Sequence, residues 1–315
     1  TTNEEGKATG VSFIDKEDNT EYKLKGKVVV LAASACSSAR ILLNSKSKQH
    51  PNGLGNSSDL VGRYLHDSTG GDMMAFIPQL INRKTYNEDG VGGMHVYSPW
   101  WLDNKNLDFA RGYHIEVWGG LGAPSYGTGF NVNSFNKFFG INKAGGYGNS
   151  LRDDMKKYYG STIGLSGRGE SVAQRSNYCE IDPNKVDKYG VPILRFNYKW
   201  TDNEIKQAKH MQDTFEEIIH NMGAIPLWNK PGKDANYGLT KPGQIIHEVG
   251  TTRMGSNPKN SVVNEFEQLH DVSNVFVVDA GPFVSQADKN PTWTILALAM
   301  RSSEKIIEEF KKQNF

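Results

Sequence analysis

Two short segments toward the C-terminal end concentrate the residues able to do chemistry: "IIHEVGTTRMG" at 245–255 and "VVDAGPFVSQADKNPTWTILALA" at 277–299. His247 follows two apolar residues and precedes a glycine turn, which holds it at a sheet edge, where an imidazole accepts a proton near neutral pH. Without context, a lone histidine is more often structural than catalytic. Asp279 closes the apolar run "NVFVV". In open α/β sheets ligands lie beyond the carboxyl ends of strands, and an acceptor-only carboxylate there suits the hydroxyls of a sugar or ribityl chain. Taken alone, Asp279 reads as the cap of the turn into Gly281-Pro282. Asn290 then precedes Pro291. Asparagine is a favoured N-cap, and proline at the first helical position loses no useful donor. The unpaired N–H groups and partial positive charge at that helix start suit a group that becomes anionic.

The elements that must position these residues are legible in outline. Residues 10–32 read as a β-meander: "GVSFID" alternates, "KEDNT" turns, "EYKLKGK" is an exposed strand, and "VVVLAA" is apolar throughout, as a central parallel strand would be. It runs into "SACSSARILLNS", where Ser37 or Ser38 is expected to cap a short helix carrying Ile41, Leu42 and Leu43. From about 72 to 245 short strands ("DMMAFI", "GMHVYS", "RGYHIEVWG", "ILRFNYKW") alternate with polar loops, the pattern of an antiparallel sheet. One helix stands out there. Thr201 with Glu204 makes a capping box, Ile205, Ala208, Phe215, Ile218, Ile219 and Met222 recur at helical spacing, and Gly223 closes it. Residues 119–148, rich in glycine and aromatics without clear period, read as a functional or a disordered loop. From 245 onward the α/β texture returns.

The expected fold class is therefore α/β plus α+β. Residues 1–71 and 246–315 form parts of one sheet domain, interrupted by an antiparallel-sheet domain over 72–245.

Bulk properties narrow the function classes. A net charge of +1 provides no field for gathering nucleic acid. No apolar run approaches the roughly 18 residues of a membrane span. Two cysteines, Cys36 and Cys179, fit neither a metal site nor a disulfide framework and read as buried thiols. The start, Thr1-Thr2-Asn3, has no methionine and no basic-then-apolar leader. That points to an upstream segment removed or to part of a longer polypeptide, and leaves a periplasmic or a cytoplasmic location open.

Together with "KVVVLAASACSSARILLNS", "GLGNSSDLVGRYLHD" and "KVDKYGVPILRFNY", the two C-terminal segments resemble the glucose-methanol-choline (GMC) oxidoreductases over essentially the whole chain, from Gly10 to about Phe310. The similarity is greatest to the branch of gluconate dehydrogenase large subunits and glucoside dehydrogenases. The resemblance implies a partial FAD-binding, Rossmann-like domain and a substrate-binding domain that together oxidise a sugar or polyol hydroxyl to a carbonyl. It implies that His247 takes the hydroxyl proton and that Asn290 hydrogen-bonds the same substrate oxygen. Asp279 and Ala280 then fall at the ribityl-pyrophosphate of FAD, and Pro291 and Thr292 beside the flavin pyrimidine. A helix start in that place adds on the order of 0.3–2 kcal/mol to the reduced flavin, biasing the redox step without dominating it. An electron-acceptor subunit is the partner that this branch implies.

The sequence departs from the family in two places. No G-x-G-x-x-G occurs: "GLG" at 53–55 and "GRG" at 167–169 lack the third glycine and a preceding strand. The cradle for the adenine half is thus expected from an N-terminal flavin-binding portion outside these residues, on the same polypeptide or as a separate chain. Lys46-Ser47-Lys48 replaces a short glycine-rich stretch after "ARILLNS", a feature of the dehydrogenase branch. The alternative function is a non-redox carbohydrate-binding or assembly module that keeps the fold without a cofactor.

Other constellations are weaker. His114 and Glu116 alternate onto one strand face and His66-Asp67 lies in a turn, but no third ligand has metal spacing, so no metal is expected. No G-x-S-x-G elbow supports a hydrolase. Trp100-Trp101, Trp118, Trp200 and Trp228 are candidate stacking surfaces for a sugar ring.

Overall fold

The computed structural model describes residues 1–83, 96–98, 106–119, 148–158 and 160–315. Trp100-Trp101, most of the glycine-rich stretch after 119, and the first residues of "GMHVYS" lie outside the described residues. The fold mixes helices with antiparallel sheets and one parallel strand pair, and its chain divides into two compact units.

The first unit comprises Thr1–Ser68, Ser171–Lys199 and Pro242–Phe315. It opens with an antiparallel hairpin, β1 (Gly10–Ile14) and β2 (Glu21–Lys25). The strand expected to be central, β3 (Val29–Leu31), pairs in parallel with β11 (Val275–Val277), register Val30 to Phe276. Among the described residues β3 has that single neighbour, and Val30 is 48% exposed, so it is an edge rather than a centre here. The strand pair is locked by Asn274, fully inside, whose carboxamide exchanges hydrogen bonds with the Ala8 backbone 266 residues away and also donates to Lys27 O.

Helix α1 (Ala35–Asn44) starts earlier than its sequence suggested. Ser34, with φ +82°, occupies the cap position and makes no side-chain cap bond. Ser38, one of the two expected caps, is inside the helix and donates its hydroxyl to Asp279 Oδ2 at 2.5 Å. Leu42 and Leu43 face the core with Leu54, Leu65, Val262, Leu269, Val275 and Val277.

Residues 171–199, placed by the sequence reading in the 72–245 domain, cluster with the first unit. They carry the hairpin β8 (Tyr178–Val186) and β9 (Pro192–Asn197), and they pack with the first unit. Three contacts explain this. Cys179 is buried in the Leu42 core. Arg40 on α1 donates to Pro192 O, Val191 O and Asp187 Oδ2 at 2.8–3.0 Å. Gly62, at φ +85°, accepts the Cys179 N–H on its carbonyl at 3.0 Å, and a Cβ there would stand 2.1 Å from Cys179 O. No other residue type tolerates both that φ and that approach.

The second unit comprises Thr69–Glu170 and Trp200–Lys241. Its sheet runs β10 (Ile225–Pro226), β4 (Thr69–Phe76), β7 (Thr162–Gly169), β6 (Tyr113–Gly119), β5 (Val96–Ser98), antiparallel throughout. A short helix α2 (Asn149–Tyr158) precedes β7. Helix α3 (Asp202–Asn221) has the expected capping box: the Thr201 side chain accepts from Asn203 N, and Glu204 Oε2 accepts from Thr201 N at 2.8 Å. Gly223 follows at φ +62°. Met211, Phe215 and Ile219 bury this helix against Met73, Ala75, Ile115 and Leu165 on one sheet face.

Helix α4 (Thr292–Lys311) closes the chain in the first unit.

Candidate active site

Three backbone segments converge on His247. On one side, His66 and Val249 exchange backbone hydrogen bonds at 2.9 and 3.1 Å. On the other, residues 250–254 run beside 280–282, with Gly250 N, Thr252 N and Met254 N donating to Ala280 O, Gly281 O and Pro282 O. Gly250 makes the crossing possible: at φ +92° a Cβ would lie 2.4 Å from Tyr64 O. Below them Val249, Ala280, Phe283 and Ala35 form a small core against which Ile295 and Leu298 of α4 pack. That core is what brings the start of α4 to His247, although 43 residues separate His247 from Asn290.

The two expected catalytic residues meet. Asn290 Nδ2 lies 3.5 Å from His247 Nε2, with the imidazole half-buried and the carboxamide exposed. On its other nitrogen, His247 Nδ1 is 3.3 Å from the hydroxyl of Ser68, which in turn accepts from Gln286 Nε2 at 2.9 Å. Ser68 and Gln286 are both buried. The His247 backbone N–H donates to Asp67 Oδ1 at 3.0 Å, as does Ser68 N at 2.8 Å. Asp67 is itself held by Tyr198, whose hydroxyl accepts from its N–H, and by the Ser171 hydroxyl on its carbonyl. Burial, with the Glu248 charge adding to it, pushes the Asp67 carboxyl up to about 6. His66 beside it is driven the other way, to about 4, chiefly by burial, so it is neutral at physiological pH.

The residue before the histidine is unusual. Ile246 is 76% exposed and has φ +61°, a left-handed conformation that a β-branched side chain resists. Such strain is retained where the surrounding structure dictates the backbone, as it does next to His247.

The other expected residues divide. Asp279 is buried, and its carboxylate accepts from Ser38 Oγ and from Gly281 N at 2.8 Å, with N–H groups of Ala33 and Ser34 also stabilising its charge. Burial nevertheless raises it above the usual carboxylate range. Its oxygens thus serve the chain's own turn and the entry to α1, with Ala280 buried beside it. At the start of α4, Pro291 occupies the cap position with helical dihedrals (φ −77°, ψ −14°), so Asn290 lies one residue before the cap instead of forming it. Thr292, Trp293 and Thr294 are exposed. First-turn N–H groups have no intrahelical partner, so this end of α4 offers open donors and a positive potential. Those features fit the electron-rich edge of a flavin ring; Asp279 fits as the residue shaping the adjoining turn.

The remaining constellations are accounted for by hydrogen bonding. His114 Nε2 lies 3.3 Å from Glu116 Oε1, whose other oxygen is 3.8 Å from Arg168 Nε. Among the described residues no group of three or more His, Cys, Asp or Glu side chains gathers as a metal would require. Trp118 donates to Ser166 Oγ and Trp200 to Thr240 O, both at 2.9 Å, while Trp228 is partly exposed. Cys36 is half-buried and Cys179 buried, both as free thiols. No helix among the described residues is long and apolar enough to cross a membrane.

Ser68 and Gln286 are the residues that sequence reasoning missed. Neither type stands out in a loop, and only the fold shows that both are buried on the histidine.

Residues 174–299, which include His247, Asp279 and Asn290, match the C-terminal family model described as GMC oxidoreductase. A 2-methyl-1,2-propanediol dehydrogenase of Mycolicibacterium austroafricanum is 31% identical over 307 residues, covering 97% of this chain and 52% of that protein. The gluconate 2-dehydrogenase flavoprotein of Pantoea cypripedii is 28% identical over 317 residues, covering 99% and 49%. The chain thus spans about half the length of these curated relatives. Among solved structures, a formate oxidase of Aspergillus oryzae RIB40, studied for FAD modification, superposes with TM-score 0.66 at 13% identity, over 97% of this chain and 58% of that one. This last likeness is one of fold.

Proposed function

We propose that this chain, whose residues 174–299 match the GMC oxidoreductase C-terminal family model, supplies the proton-abstracting half of an FAD-dependent enzyme that oxidises a sugar or polyol hydroxyl to a carbonyl. The observation that carries the reading is the approach of His247 Nε2 and Asn290 at the open start of α4. Supporting it are relatives whose names state dehydrogenation of a diol and of gluconate.

In this reading β3, α1 and β11 belong to a Rossmann-like flavin domain whose remaining contacts come from a portion outside these 315 residues. Residues 72–170 and 200–241 belong to the substrate-binding domain. Pro291 and Thr292 hold the pyrimidine edge through the helix end, and Asp279 with Ala280 shapes the turn at the ribityl-pyrophosphate. When bound, the flavin supplies the acceptor for the carbinol hydride. The chain's own residues do the rest. Asn290 orients the substrate oxygen, and His247 Nε2 removes its proton as the carbonyl forms, a contribution of roughly 10²–10⁴-fold. The acceptor for the hydride's electrons would be a partner subunit, in keeping with a relative whose name designates a large subunit.

The test is His247→Ala in the flavin-loaded full-length protein. Flavin absorbance is expected to remain while anaerobic bleaching by a sugar or polyol falls by at least roughly 100-fold. Bleaching at the parent rate would refute the proposal. A protein that takes up no flavin at all would favour the carbohydrate-binding alternative.

A further inference from the structure

We infer that Ser68, backed by Gln286, is the positioning pair that holds the Nδ1 side of His247, so that Nε2 is the nitrogen that handles the substrate proton. The inference rests on the base role proposed above for His247.

Which nitrogen of an imidazole acts as the base is set by the hydrogen bond that the other nitrogen makes. The structure treats the two nitrogens differently. Nε2 looks toward exposed Asn290 at 3.5 Å, whereas Nδ1 looks toward the buried Ser68 hydroxyl at 3.3 Å. A serine hydroxyl has two lone pairs and one hydrogen. Gln286 Nε2 fills one lone pair, and in the tautomer that the base role requires the second accepts Nδ1–H; the opposite tautomer would have the hydroxyl donate to a bare Nδ1. The Nδ1–H bond serves both states of the ring. In the neutral form it puts the proton on Nδ1 and leaves Nε2 bare; once Nε2 is protonated, the same Nδ1–H contact becomes charge-assisted and stronger. No group has to turn during the step.

Gln286 has no other visible use for this placement. It is 1% exposed, and its carbonyl Oε1 is buried with no hydrogen-bond partner among the described residues, so its amide is kept for what its nitrogen does. Among the described residues the charged groups near it by bond or sequence include Asp67, bound to the His247 backbone N–H, Glu248, and the Asp288–Lys289 pair before Asn290. They bear on the charge of the ring; the hydroxyl bears on which nitrogen carries the proton.

The experiment is nitrogen NMR on ¹⁵N-histidine-labelled, flavin-loaded full-length protein, with His247 assigned by loss of its signals in His247→Gln. The parent is expected to show a protonated Nδ1 and a bare Nε2. Ser68→Ala is expected to give mixed tautomers and a fall of roughly 10–100-fold in kcat for anaerobic flavin reduction, with KM changed far less. Ser68→Thr, which keeps the hydroxyl, restores the parent signals, and Gln286→Leu mixes the tautomers in part. A parent with the proton on Nε2, or parent-like signals in both Ser68→Ala and Gln286→Leu, overturns the inference. Should Ser68→Ala not fold, Ser68→Thr and Gln286→Leu give the same reading. Failure of the base role is separable: it appears as undiminished bleaching in His247→Ala whatever the tautomer.

Discussion

At the scale of single residues, the site is built at a cost to stability, and Asp67 shows where. Its folded carboxyl titrates at about 6, above the ordinary 3.8, because it is buried beside Glu248. Between about pH 4 and pH 6 the folded chain therefore keeps a proton that the unfolded chain has lost. Stability from this group falls as pH rises through that window, and the loss is complete above it. Asp67→Asn keeps an acceptor for the His247 and Ser68 N–H groups without the charge. It should unfold at higher urea than the parent at pH 7, by up to on the order of 3 kcal/mol, and show a flatter pH profile between 4 and 6. Equal stability at pH 7 would mean that the carboxyl is better solvated than its burial indicates. His247 and Asn290 were legible because histidine after an apolar pair and Asn-Pro before an apolar helix are patterned. Ser68, Gln286 and the strained Ile246 were not, because burial and φ belong to tertiary structure.

At the scale of elements, local signals succeeded where one segment decides the outcome alone. The boundaries of α3 follow from Thr201, Glu204 and Gly223, all within reach of the helix they delimit. Thr201→Ala should cost about 1 kcal/mol in urea unfolding, with Glu204 losing its reciprocal role. Local signals failed for α1 and α4. Ser38 is a good cap by type, but Asp279, 241 residues away, claims its hydroxyl. At α4 the Asn-Pro pair suggested Asn290 as the cap, yet Pro291 takes that position, and Trp293, Leu296, Met300, Ile307 and Phe310 form an exposed stripe, Trp293 at 84%. Apolar periodicity tells which residues share a face, and only the neighbours tell whether that face is covered.

At the scale of the whole molecule, the chain leaves the first unit and returns to it twice, and its sequence texture revealed only the outer boundaries. The return segment 171–199 reads as one more pair of strands in an antiparallel stretch; its membership rests on Gly62, Arg40 and the pocket around Leu42 that receives Cys179. Leu42→Ala should cost about 2–5 kcal/mol. Hydrogen exchange should then quicken together at the amides of Cys179 and Val275–Val277, while Thr162–Gly169 keeps its protection. Loss of protection in the sheet strand alone would argue for a different division.

The clasp between Asn274 and Ala8 also sets a timetable for biosynthesis. Its two halves are 266 residues apart, so at about 5–20 residues per second a ribosome takes roughly 15–50 s to deliver the second after the first. Throughout that interval the side of Val29–Leu31 that Val275–Val277 will take waits unpaired. A chaperone that masks sticky ribbons would have its natural client in the segment around Val29–Leu31.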